Sequence, residues 1–111
     1  MSTASDAAVH LVAELGERNL TVAVAESVTG GLLMGALTAV PGASDVLRGG
    51  VVVYATDTKA SQLGVDPDVL ETNGPVDAEV ATAMARAVRG RWAADIGVAT
   101  TGVAGPDPQA G

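Results

Sequence analysis

The sequence predicts an α/β fold: a three-layer α/β/α single domain over residues 1–111, with a mixed, largely parallel sheet. Three observations carry that expectation. Short apolar runs at residues 21–25, 51–54 and 96–99 have the length and side-chain type of buried strands. Segments with apolar residues at helical spacing precede the first run and separate it from the others, the alternation that places helices over parallel strands. Each run also ends at a small polar cluster, and the edge where such strands end is where α/β proteins place ligands.

In chain order, Ser5 or Asp6 caps a first helix with Ala8, Leu11, Val12 and Leu15 facing inward, and Asn19 ends it in a left-handed conformation. The strand at residues 21–25 runs into Glu26, Ser27, Thr29, Gly30 and Gly31. A second helix follows, with Leu33, Ala36, Leu37 and Val40 on one face, and it stops at Pro41-Gly42. Residues 45–48 read as a loop or helical turn, and Gly49-Gly50 introduce the strand at 51–54. Thr56 or Asp57 caps a short helix that Gly64 closes. Asp66-Pro67 opens another, stopped by Asn73-Gly74. Asp77 starts the clearest helix, with Val80, Met84, Ala87 and Val88 apolar and Arg86, Arg89 and Arg91 near its solvated end. The strand at 96–99 gives onto Thr100-Thr101-Gly102 before Ala104-Gly105-Pro106, and residues 107–111 read as loop.

Composition narrows the function. A hydrophobic fraction of 48% supports a packed core, which must be aliphatic because Trp92 and Tyr54 are the only aromatic residues. A formal net charge of −7 argues against general nucleic-acid or anionic-membrane binding. With no cysteine there is no disulfide framework, thiolate metal site or thiol nucleophile. His10, the one histidine, sits beside the apolar stripe of the first helix and has no partners for a histidine metal site or a Ser-His-Asp triad. Neither a signal-peptide order nor an apolar run of about 20 residues is present, so a cytoplasmic location is expected.

If the strands are parallel, their ends gather Ser27 and Thr29, Tyr54 and Lys59, and Thr100 and Thr101. A serine is a nucleophile only when a base takes its proton, and lysine is the remaining candidate; in a dry pocket its pKa falls and it can serve. Backbone amides at Gly30-Gly31 or around Thr101-Gly102 offer donors for a developing oxyanion or a phosphate. Plainer alternatives stand beside this: Ser27 as a helix cap, Lys59 as an exposed helix lysine, Tyr54 as a strand-end residue, and Glu26 as a cap or a partner of Lys59. The pattern by itself stops at a phosphate-tolerant α/β domain.

Four segments add a resemblance: AESVTGG at 25–31, PGASDVLRGGVVVYATDTK at 41–59, GPVDAEVATAMA at 74–85 and ADIGVATTGVAGP at 94–106. In order and separation they resemble the CinA C-terminal domain family, which includes bacterial nicotinamide-nucleotide amidases. The resemblance implies an amidohydrolase that converts nicotinamide mononucleotide to nicotinic acid mononucleotide and ammonia, without metal or cofactor. Ser27 would be the nucleophile, Lys59 its base and Tyr54 an orienting group, with Thr29, Gly30, Gly31, Ser44, Thr101 and Gly102 shaping the substrate pocket. The expected partners are a small-molecule nucleotide and further copies of the chain, with neither nucleic acid nor membrane. Val28 stands where the family favours Cys, Asp77 where Ser is common, and Thr56-Asp57-Thr58 where Asn-Glu-Ala is frequent. Family members continue beyond the GVAGP loop, so this chain is expected to be shortened at its C-terminal end: either the polypeptide was cut, or it is a shortened member whose exposed sheet edge a partner chain must cover. The alternatives are a catalytically inactive nucleotide- or protein-binding homologue and a fragment that assembles by pairing edges.

Overall fold

Ser5 caps helix α1 (Asp6–Arg18), its side chain accepting from the Ala8 amide at 3.1 Å, and Asn19 closes the helix at φ 55. A computed structural model describes residues 4–103. After α1 come β1 (Val22–Glu26), α2 (Leu32–Thr38), a 3-10 turn (Ala43–Asp45), β2 (Leu47–Val52), α3 (Thr56–Leu63), α4 (Pro67–Asn73), α5 (Ala78–Arg91) and β3 (Ile96–Ala99). The loop expected over residues 107–111 lies outside the described residues.

The strands form one sheet in the order β2-β1-β3, and both pairings are parallel. β1 is central and wholly buried, which its uninterrupted apolar sequence Val22-Ala23-Val24-Ala25 requires. Because its side chains alternate between faces, Val22 and Val24 pack with α1 and α2, while Ala23 and Ala25 pack with α3, α4 and α5. Helices therefore cover both faces and give three layers. The expected α/β architecture holds, and the three described strands are all parallel.

Two glycines set how closely the layers approach. A Cβ on Gly50 would collide with the Val24 carbonyl and lie 2.7 Å from Met34 Sδ; one on Gly97 would collide with the Ala85 carbonyl of α5. The sheet and both helix layers close over positions where only hydrogen fits.

Three local expectations change. β2 begins at Leu47, four residues before the expected strand, and takes in Gly49 and Gly50. Glycine weakens a strand in isolation, but here it is what allows β2 to lie against β1 beneath Met34. Leu11 faces outward, 40% exposed, and the inward stripe of α1 is Ala8, Val12 and Leu15. α3 begins at Thr56 with Ala55 at its cap position and no side-chain cap; Thr58 instead donates back to the Ala55 carbonyl at 2.6 Å. The caps expected at Asp66 and Asp77 are present, accepting from the amides of Asp68 and of Glu79 and Val80. Among the described residues, no helix is long and apolar enough to cross a membrane.

Candidate active site

Parallel pairing brings the C-terminal ends of the three strands to one edge, so Ser27, Tyr54 and Thr100 leave the sheet on the same side. Lys59 reaches this edge from the first turn of α3. Its Nζ lies 2.8 Å from Ser27 Oγ and 2.9 Å from the carbonyl oxygen of Val53, the last residue before Tyr54. Both side chains are buried, Lys59 at 1% exposure and Ser27 at 3%. Lys59 occupies a position four residues before Leu63, on the inward face where an apolar residue would ordinarily stand.

The electrostatics follow from what surrounds the amine. Arg18–Glu14 is the one ion pair among the described residues, so no carboxylate among them pairs with Lys59. Burial therefore pushes its pKa below the ordinary 10.5. Nζ donates to both Ser27 Oγ and the Val53 carbonyl; in the neutral form one N–H can stay on the Val53 carbonyl while the lone pair is free to face the Ser27 hydroxyl. A neutral amine so placed could take the Ser27 proton, which is what a serine nucleophile requires of a base.

Glu26, immediately before Ser27, is fully buried and does not pair with Lys59. Its carboxylate accepts from the amides of Gly31 at 3.2 Å, Leu33 at 3.0 Å and Met34 at 2.8 Å, the exposed donors of the α2 start. Burial raises its pKa, but the Thr29 hydroxyl and the amides of Met34, Leu33 and Gly31 outweigh this and hold it below 4.5. The Gly30 amide is engaged too, donating to the Ser27 carbonyl at 3.0 Å. This corrects the expectation that the Gly30-Gly31 amides receive an oxyanion or phosphate, because the protein's own groups already fill them.

A small cleft of about 60 Å3 opens over Ser27 and Lys59, lined also by Val28, Tyr54, Thr56, Pro75, Gly102 and Val103. Tyr54, 60% exposed, stands at its mouth. Thr29 Oγ1 and Thr100 Oγ1 lie 2.8 Å apart, linking the loops after β1 and β3. Thr101 donates to the Pro75 carbonyl at 2.6 Å and so holds the Gly102 loop against the turn before α5. Of the residues expected at the site, Ser27, Lys59, Tyr54 and Gly102 meet in the cleft, and Thr29 and Thr101 brace its walls. Gly30 and Gly31 shape the turn behind it. Ser44 is not brought there: it precedes β2, at the opposite end of the sheet, in a depression with Thr38, Val40 and Leu47. Sequence reasoning missed the Val53 carbonyl, which carries no side-chain signal, and Pro75, whose Gly74-Pro75 turn was the only mark.

Fold and site together define an α/β domain with a buried serine–lysine pair at the carboxyl edge of a parallel sheet. Residues 4–111 match the family model described as the CinA C-terminal domain, and the chain belongs to that family. It is 60% identical over 95 residues to a CinA-like protein of Frankia casuarinae, covering 86% of this chain and 22% of that protein. Over 92 residues it is 53% identical to a putative competence-damage inducible protein of Moorella thermoacetica, again covering 22% of the relative. The chain thus spans under a quarter of the length of these curated relatives. Among solved structures, the competence/damage inducible protein CihA of Agrobacterium tumefaciens superposes with a TM-score of 0.90 at 39% identity, covering 96% of this chain and 67% of that one. A competence or damage-inducible protein of Enterobacter asburiae gives 0.91 at 34% identity, covering 97% and 68%.

Proposed function

We propose that the domain is a nicotinamide-nucleotide amidohydrolase, converting nicotinamide mononucleotide to nicotinic acid mononucleotide and ammonia with Ser27 as nucleophile and Lys59 as base. The observation that carries the reading is the 2.8 Å contact between a buried hydroxyl and a buried amine that has no ion-pair partner among the described residues. Family membership and the residues 25–31 and 41–59 support the substrate class.

The chemistry follows from the geometry. Lys59 takes the Ser27 proton as Oγ bonds to the carboxamide carbon. The resulting ammonium then gives that proton to the departing nitrogen, so ammonia leaves and an acyl-serine remains. Lys59, neutral again, deprotonates a water that attacks the acyl carbon, and the acid leaves as Ser27 is reprotonated. The Val53 carbonyl keeps the amine aimed through both half-reactions. Tyr54 at the mouth would orient the pyridine ring.

The test is ammonia release from nicotinamide mononucleotide. Wild type should turn over, and Ser27→Ala should lose at least about a thousandfold in kcat/KM with its circular dichroism unchanged. Release retained in Ser27→Ala contradicts the nucleophile. One observation favours a second reading, a binding homologue without turnover: among the described residues lining the cleft, none but Lys59 is cationic. Calorimetric binding of the nucleotide without ammonia release, unchanged by Ser27→Ala, would select it.

A further inference from the structure

Three polar side chains are buried among the described residues: Ser27, Lys59 and Glu26. The first two form the pair at the site, and the third has no part in the chemistry proposed above. Glu26 nonetheless adjoins Ser27 and anchors both ends of its loop. Its backbone carbonyl accepts from the Val53 amide at 2.8 Å, extending the β1–β2 ladder to the site's edge. Its carboxylate grips the start of α2 through three amides. Between these anchors the chain turns tightly, with the Gly30 amide on the Ser27 carbonyl and the Leu32 amide on the Thr29 carbonyl, both at 3.0 Å. Within the same loop Thr29 Oγ1 lies 2.8 Å from Thr100 Oγ1, which ties the loop after β3 to the segment between these anchors.

The geometry points to Glu26 as the positioning residue for the nucleophile: its carboxylate clamps the end of β1 to the start of α2 and so fixes where Ser27 Oγ stands relative to Lys59. A second consequence attaches to the same contacts. A carboxylate spent on amides is kept from Lys59, where it would favour the charged amine and remove the base. The inference rests on the reading of Ser27 as a nucleophile.

The experiment compares Glu26→Ala and Glu26→Gln with wild type in two assays. One is steady-state ammonia release from nicotinamide mononucleotide; the other is the rate of Ser27 labelling by a fluorophosphonate, which needs no amide substrate. Glu26→Gln keeps the volume but turns an NH2 toward amide donors. Both variants should lose about a hundredfold in kcat, with KM changed by less than about threefold, the signature of misplacement rather than weakened binding. Formate fits the space vacated in Glu26→Ala. It should restore kcat and labelling saturably and raise the Tm of that variant, with no effect on Glu26→Gln or wild type. Formate that raises Tm but restores neither rate shows a purely structural carboxylate and overturns the inference, as does wild-type kcat in folded Glu26→Ala. Should Glu26→Ala fail to fold, wild-type kcat and labelling in Glu26→Gln overturn it. A wild type that labels at Ser27 but releases no ammonia rejects the amidase reading alone, and the labelling rates then decide the role of Glu26. A wild type that does neither overturns both.

Discussion

Lys59 is the residue on which the proposed chemistry turns, and its burial has a cost that can be read as stability. An unfolded lysine titrates near about 10.4, and burial depresses the folded value. Between the folded and unfolded values the unfolded chain binds more protons, so stability rises with pH across that window. Below the folded value the cost of the buried cation is present in full. Lys59→Met removes it, so this variant should melt at a higher temperature than wild type at pH 7, with the gap closing above about pH 10.4, while ammonia release falls by at least about a thousandfold. Scanning calorimetry at several pH values checks the first part, and equal or lower melting of Lys59→Met at neutral pH contradicts it. The activity of wild type should rise with pH through the same depressed value, because only the neutral amine accepts the serine proton. Glu26 shares that direction of pH dependence, but its charged form is the one the fold favours, so it stabilises where the Lys59 cation costs. Its folded pKa lies below 4.5, so its contribution is present above that value and lost as pH falls through the folded one. Ser27 and Lys59 were legible as candidates because no histidine or cysteine competes for the role. The burial of Lys59 was harder to read, since TDTKASQL is polar throughout and only Leu63, four residues on, marks the face it shares.

Secondary-structure elements were legible where capping chemistry is local. Asp77 and Pro67 carry their own instructions, and Asp77→Ala should cost about 1 kcal/mol in urea unfolding through loss of the side-chain bonds to the Glu79 and Val80 amides. An unchanged midpoint would show that the cap contributes nothing. β2 was misplaced because its boundary is decided by a neighbour: Gly49 and Gly50 read as a break until Val24 and Met34 are seen against Gly50. Gly50→Ala should therefore destabilise by about 3 kcal/mol or fail to fold, as overpacking against main chain does. Wild-type stability in this variant would contradict the close approach of β2, β1 and α2. The opposite error occurred at the start of α2, where open glycine amides suggested a ligand: Glu26 takes the Gly31 amide and the Ser27 carbonyl takes the Gly30 amide.

At the level of the molecule, two aliphatic cores share one sheet, and the site lies where their strands end. The core beneath the site contains Val80, Met84 and Val88 of α5, all fully buried, together with Val53 and Leu63, which flank Lys59 in sequence. Met84→Ala should lower unfolding stability by about 2–5 kcal/mol. Loss of that size also loosens the support of α3, so the variant should lose activity at a lower temperature than wild type; equal thermal inactivation would separate the core from the site. The layering of helices on a parallel sheet follows from alternation and buried apolar runs, which is why the architecture was legible in the sequence while the order β2-β1-β3 was not. The pairing of residues 27 and 59 depends on three parallel strands bringing separated loops to one edge, a property of the assembled sheet that neither loop carries alone. The account stands or falls on the charge of the Lys59 amine, which NMR titration of its 13Cε, assigned by comparison with Lys59→Met, measures in the folded protein. A midpoint clearly below the ordinary 10.5 is the predicted result; titration at or above that value would mean a protonated lysine beside Ser27 and no base for the reaction.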